Sequence, residues 1–268
     1  MIIFQLELKI QIIVISFQDV ARIVRHHQLK VVSVDINLET LEPQLSLMER
    51  LITQKTVAIL VAHLCGRWVN MEPIIDLAMR YQLCVIEDCA ESFCGFVRTG
   101  HPQSDLSLFS FGVIKFSTSF GGGIAKIKHD KDFKAMNDMY EKYPEQNASI
   151  YLKKVLKYVL MYNILQVWPW PELNQLCRRT GVKDWKDVFV KYLRGFPNDL
   201  IPNIRCRPST AMLSVMVYKH LSFKQSDFDL QRVKGDYFLS KLNSAFRVIG
   251  TNVKVNNYWL FPVIVVSF

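Results

Sequence analysis

Apolar residues recur with two periods along the first half of the chain. Leu6, Leu8, Ile10 and Ile12 alternate with polar neighbours, which predicts a strand over 10–15. Val20, Ile23 and Val24 share one face of a predicted helix over 19–27. A strand over 30–36 and a helix over 45–52 flank a turn-rich segment, 37–43. The unbroken apolar run Val57–Ala62 predicts a strand buried on both faces. A helix over 73–82, with Pro73 near its first turn, leads to a strand over 83–87; strands over 106–111 and 124–128 follow. This alternation predicts an α/β fold with a mostly parallel, mixed central sheet and helices on both faces. In such sheets ligands sit beyond the carboxyl ends of the strands. Asp35, His63 and Asp88 stand where strands end, and Ser110 and Lys115 stand at the end of a strand and in the turn after it.

Beyond Asp130 the period becomes helical. Helices are predicted over 131–143, 150–167, 184–193, 208–221 and 228–242, and an apolar strand over 258–268. Ser209 is placed to cap the fourth of these helices. The helix over 150–167 carries Leu152, Val155, Leu156, Val159, Leu160 and Ile164 on a broad face, with Lys153, Lys154 and Lys157 elsewhere. That pattern predicts a core-packing helix with a solvated lysine face, in preference to a basic helix lying on a membrane.

The 268 residues are 50% apolar and 21% charged, an ordinary globular balance. A formal charge of +9 fits a basic soluble protein or one that handles phosphorylated ligands. No compact Lys/Arg tract interleaved with aromatics is present, so no nucleic-acid partner is expected. Six cysteines without a C-x-x-C pair read as reduced core thiols of a cytoplasmic protein. Cys89 and His63 lack metal-ligand spacing, and no metal is expected. Gln5, Glu7, Lys9 and Gln11 interrupt the apolar start, which does not read as a signal peptide. No uncharged apolar run reaches the roughly 18–20 residues of a membrane span, so a membrane partner is not expected.

The stretch Cys84–Lys126 carries the candidate chemistry. It reads C-V-I-E-D-C-A-E-S, then S-L-F-S-F-G-V-I-K-F-S-T-S-F-G-G-G-I-A-K. An acid, a hydroxyl and a lysine at the ends of two buried strands match the demands of pyridoxal 5'-phosphate (PLP). The aldehyde needs a lysine amine for a Schiff base. The ring nitrogen needs a carboxylate to stay protonated as an electron sink. The phosphate needs hydroxyls and N–H groups. Lys115, Asp88 and Ser110 are the candidates, and Gly121–Gly123 supply a tight turn after them.

E-D-C-A-E-S followed by S-F-G-V-I-K and G-G-G resembles the DegT/DnrJ/StrS family of PLP-dependent sugar aminotransferases, of the fold-type-I, aspartate-aminotransferase-like architecture. K-V-V-S-V-D-I-N, V-A-H-L-C-G-R and M-E-P-I-I-D-L-A-M-R-Y-Q-L-C-V-I-E-D extend the likeness over about 16–128, with a weaker match over 207–268. The resemblance implies that Lys115 is the Schiff-base lysine and proton shuttle, that Asp88 pairs with the ring nitrogen, and that Ser110 binds the phosphate. Glu91 stands where the family usually has Gln near the ring hydroxyl. His63 lies near the site in the family pattern. Related sugar dehydratases replace the lysine by histidine, so Lys115 favours aminotransfer. The family's N-Y-R segment appears as Arg205-Cys206-Arg207, which leaves Arg207 for substrate. The implied activity is transamination of a keto sugar, nucleotide-linked, with an amino acid such as glutamate as donor, in a cytoplasmic homodimer. The alternative expectation is a non-catalytic homologue that keeps the fold core without a complete site. The implied organisation is a large domain over 1–205 with a helical insertion at about 130–200, then a helical linker and the start of a small domain over 206–268. Both ends are expected to be cut relative to the family.

Overall fold

The computed structural model describes residues 9–13, 18–167, 170–180, 200–242 and 246–265. They pack as two compact units, Met1–Asp138 with Val215–Phe268, and Met139–Ser214.

The first unit is built on a six-stranded sheet: β1 (Lys9–Ile13), β2 (Lys30–Val34), β3 (Thr56–Ala62), β4 (Cys84–Asp88), β5 (Leu106–Ser110) and β6 (Gly123–Ile127). The spatial order is β2-β1-β3-β4-β5-β6. The pairs from β2 through β5 are parallel and β5–β6 is antiparallel. The crossovers are α1 (Gln18–His26), α2 (Leu45–Leu51) and α3 (Glu72–Arg80). The strand period explains why β3 reads as one apolar run. Ile59 and Val61 pack with Met48, Ile74, Ile75 and Leu77 against α2 and α3. Ala58 and Leu60, pointing the other way, pack with Val24 of α1 and Ile86. Filling both faces of one strand removes water from its ladder and leaves its carboxyl end as the open place for chemistry.

β6 returns antiparallel because the glycine run lets the chain reverse after the Lys115 loop. Gly123 lies opposite Ser110, and a Cβ there would stand 2.5 Å from the Phe109 carbonyl oxygen. α4 (Asp130–Tyr140) follows β6 and buries no residue.

The second unit is helical in its described residues, with α5 (Ala148–Val167), α6 (Trp170–Arg179) and α7 (Leu200–Ile204). Asn147 caps α5 by accepting the Ser149 N–H at 2.8 Å. Ser209 accepts the Met212 N–H at 3.3 Å at the start of α8 (Thr210–Leu221), the predicted cap. The predicted helix over 184–193 lies outside the described residues. α6, absent from the sequence expectation, begins at Trp170 inside the Trp-Pro-Trp-Pro run, where Pro171 fits a first-turn position.

On α5 the structure departs from the expected faces, although Val155 is partly buried and Lys153 exposed as expected; the Ile164 side chain lies outside the described residues. Leu152, Leu156 and Leu160 are each more than half exposed, whereas Lys154 and Lys157 are partly buried. Among the described residues of this helix, Tyr151 is the one that is buried.

α9 (Gln225–Lys241) brings the chain back to the sheet of the first unit. Of the strand expected over 258–268, the described residues form β8 (Val263–Val265), paired with β7 (Phe246–Val248), and 266–268 lie outside the described residues. Tyr258 cannot join it: its φ is +51°, and its hydroxyl is bonded to Asp236 on α9. Gly235 makes room for the Tyr258 ring, since a Cβ there would overlap it. The bend also rests on Arg67, fully buried, which donates to the carbonyls of Gly250, Cys65 and Leu260 at 3.3, 3.2 and 3.1 Å.

Candidate active site

Three parallel strands deliver the candidate residues to one end of the sheet. Ala62 of β3 lies opposite Asp88 of β4, and Asp88 opposite Leu108 of β5. The ladder continues past the strand ends. The His63 N–H donates to the Asp88 carbonyl at 3.0 Å, and the Cys89 N–H to that of Leu108 at 2.8 Å. Asp88 Oδ1 accepts the Ala90 N–H at 3.0 Å, which turns the chain sharply and aims the carboxylate. A similar turn, with the Lys115 N–H on the Gly112 carbonyl at 3.0 Å, folds Lys115 back beside Ser110.

These turns enclose a cavity of about 240 Å³. Glu91, Ser110 and Lys115 line it, with Phe93, Phe111 and Phe116 as an apolar wall. Lys115 is half-buried. Burial pushes its ammonium below the ordinary lysine value, while the carboxylates of Glu91 and Asp88 oppose that shift. Glu91 is pushed up by burial, against the Cys65 N–H, which it accepts at 2.7 Å, and the charge of Lys115. The cavity thus holds an amine easier to deprotonate than usual beside an acid easier to protonate than usual. Such pairs mark proton-handling sites. An amine, a hydroxyl and an acid facing one cavity, with the Asp88 carboxylate at the adjoining strand end, fit the donor set that PLP requires.

His63 is placed differently. It does not line the cavity, and its Nε2 is bonded to Glu87 at 2.8 Å with both side chains fully buried. Its Nδ1 accepts the Val69 N–H at 3.1 Å, and its ring lies against Trp68. His63, Glu87 and Cys89 offer ligand atoms within 4.8 Å of one another, but the first two are already bonded together. Arg207 belongs to the second unit, where it donates to the Tyr143 carbonyl at 3.0 Å and to Glu141 at 3.2 Å.

Sequence reasoning missed the far wall. Phe228 and Gln231 of α9 line the cavity, as do Asn257 and Trp259. The Trp259 ring covers Lys115, with Nζ 4.0 Å from the ring centroid, and its Nε1 donates to the Ile114 carbonyl at 2.9 Å. Asn257 ties this wall to the site loop: its Nδ2 donates to the Phe93 carbonyl at 3.2 Å and its Oδ1 accepts the Trp259 N–H at 3.1 Å. The signal available was Asn256-Asn257, a polar pair interrupting an apolar stretch.

The model of the DegT/DnrJ/EryC1/StrS aminotransferase family matches residues 8–149. A UDP-4-amino-4-deoxy-L-arabinose–oxoglutarate aminotransferase of Shewanella sediminis is 38% identical over 97 residues, 35% of this chain and 25% of that protein. A GDP-perosamine synthase of Escherichia coli O157:H7 is 40% identical over 100 residues, 37% of this chain and 27% of that protein. The matched region therefore spans about a quarter of either relative. The fold is similar to that of the E. coli GDP-4-keto-6-deoxy-D-mannose-3-dehydratase solved with bound hydrated PLP. That likeness has a TM-score of 0.65 at 18% identity, covering 97% of this chain and 60% of the solved one.

Proposed function

Because the chain belongs to the DegT/DnrJ/EryC1/StrS aminotransferase family, we propose that its cavity holds pyridoxal 5'-phosphate and serves amino transfer to a keto sugar. The observation that carries this reading is the half-buried Lys115 amine facing Ser110 and Glu91 in one cavity, with Asp88 at the adjoining strand end. When bound, the cofactor supplies the pyridinium electron sink through which an amino group is exchanged for a carbonyl. Lys115 supplies the amine that holds the cofactor's aldehyde, and its lowered pKa makes that amine available nearer neutrality. Asp88 keeps the ring nitrogen protonated by charge pairing. Ser110 gives its hydroxyl to the phosphate, and Glu91 faces the ring hydroxyl. The Lys115 amine would also take up and return the proton at the carbon whose amino group is exchanged. His63 acts through Glu87 and the sheet, as a positioning residue. Arg207 is the candidate for a substrate anion.

The finer reading has a nucleotide-linked keto sugar as acceptor, glutamate as donor, and a cytoplasmic homodimer as the working form. The names of the UDP- and GDP-sugar relatives support a diphosphate-bearing substrate. The test is optical. The full chain incubated with PLP is expected to gain a visible absorption band, to lose it on adding glutamate, and to regain it on adding a nucleotide-linked keto sugar. Absence of the band, or a Lys115→Ala variant that behaves like wild type, overturns the proposal. Uptake of PLP without exchange favours the non-catalytic homologue.

A further inference from the structure

The exposed apolar residues of α5 place an unusual surface in the second unit. Leu152, Leu156, Val159 and Leu160 recur at helical spacing and are 56%, 57%, 46% and 61% exposed. A row of exposed leucines on one helix face is an apolar patch of the kind that marks an interaction site. Its surroundings say what kind. Lys153, exposed, and Lys157, partly buried, follow Leu152 and Leu156 by one position each, so they run along one border of the row. Residues 139–214 carry twelve Lys and Arg against six Asp and Glu, so +6 of the chain's +9 falls in this unit. No described helix is long and apolar enough to cross a membrane. At 20 residues α5 is about 30 Å long.

We propose that this face of α5 docks the protein on an anionic membrane surface, lying in the plane of the headgroups. The leucines enter the headgroup–acyl boundary, and the bordering lysines extend toward lipid phosphates. A second copy of the chain, or another surface of the same chain, is the competing occupant. Both explain the leucines, but neither calls for the positive charge, because a self-contact would set +6 against charge of its own sign or against a surface of small net charge. An anionic bilayer complements both features at once.

The test is flotation of the full chain with vesicles of phosphatidylcholine alone or with 30% phosphatidylglycerol. Binding is expected to the anionic vesicles at 0.1 M salt, with at least tenfold less to the neutral ones. Leu156→Glu with Leu160→Glu is expected to lower the partition coefficient more than tenfold. Lys153→Gln and Lys157→Gln are each expected to cost about fivefold, and to weaken its salt dependence. The leucine variant replaces exposed residues, so its melting temperature should match wild type, which separates lost docking from misfolding. Lys115→Ala should float like wild type whether or not the aminotransferase reading holds. Three results overturn the proposal: no flotation with anionic vesicles, flotation of the leucine variant equal to wild type, or a dimer that the leucine variant dissociates while vesicle binding is absent.

Discussion

Glu87 and Glu91 sit four residues apart at the end of one strand, and their surroundings drive them in opposite directions. For both, burial alone raises the carboxyl pKa. Around Glu87 it is overcome. The carboxylate meets His63 at 2.8 Å and the His101 N–H at 2.6 Å, and these bonds hold it below the usual range. Around Glu91 it prevails, because the one N–H from Cys65 and the Lys115 charge do not offset it. A carboxylate saturated with donors becomes part of the scaffold. One left short of donors beside an amine and a cavity becomes chemically available. The same sheet end therefore carries a sealed acid that fixes the loops and an open acid that the loops present.

The sharpest way to break this comparison is to remove each acid's partner. Lys115→Ala is expected to abolish reducible attachment of PLP while leaving the urea midpoint near wild type, because the amine faces a cavity. His63→Ala, which strands a buried carboxylate, is expected to cost about 3 kcal/mol or more by urea unfolding. If the two variants exchange these effects, the division into scaffold and site is wrong.

A titration sharpens it further. Glu87, held low, contributes stability that is present above the unfolded carboxylate value and lost as pH falls through its folded value. Glu91, held high, contributes in the other sense: present below the unfolded value and lost as pH rises through the folded one. Glu87→Gln should flatten the acid limb of stability against pH. Glu91→Gln should steepen that limb slightly and gain relative stability at neutral pH. Stability curves from pH 3 to 8 check both signs.

Smaller effects lie at the lysine itself. Glu91→Gln removes a neighbouring negative charge, so the pH midpoint for PLP attachment at Lys115 should move down. Trp259→Leu removes a ring whose attraction for a cation is worth about 0.5–2 kcal/mol, and should move the midpoint the same way. A midpoint that rises in either variant contradicts the assigned environment of Lys115.

Much of the fold is written locally. Alternation and apolar runs locate the strands, and their carboxyl ends put Asp88, Ser110 and Lys115 together. The bonds that separate Glu87 from Glu91 are not local: His63 lies 24 residues before its partner. Nothing in I-E-D-C-A-E says which acid finds donors. Trp259 meets the Ile114 carbonyl across 145 residues, and from sequence it reads only as part of an apolar strand over 258–268. On α5, periodicity identifies the helix but not which side packs, because apolar residues occur nearly all round it. The side was decided by Tyr151 burying while the leucines stayed exposed.

The most direct measurement is to load the full chain with PLP, reduce with borohydride, digest it, and locate the modified residue by mass spectrometry. The account predicts one modified peptide, with the label on Lys115. Label spread over the other lysines, or absent from Lys115, contradicts it.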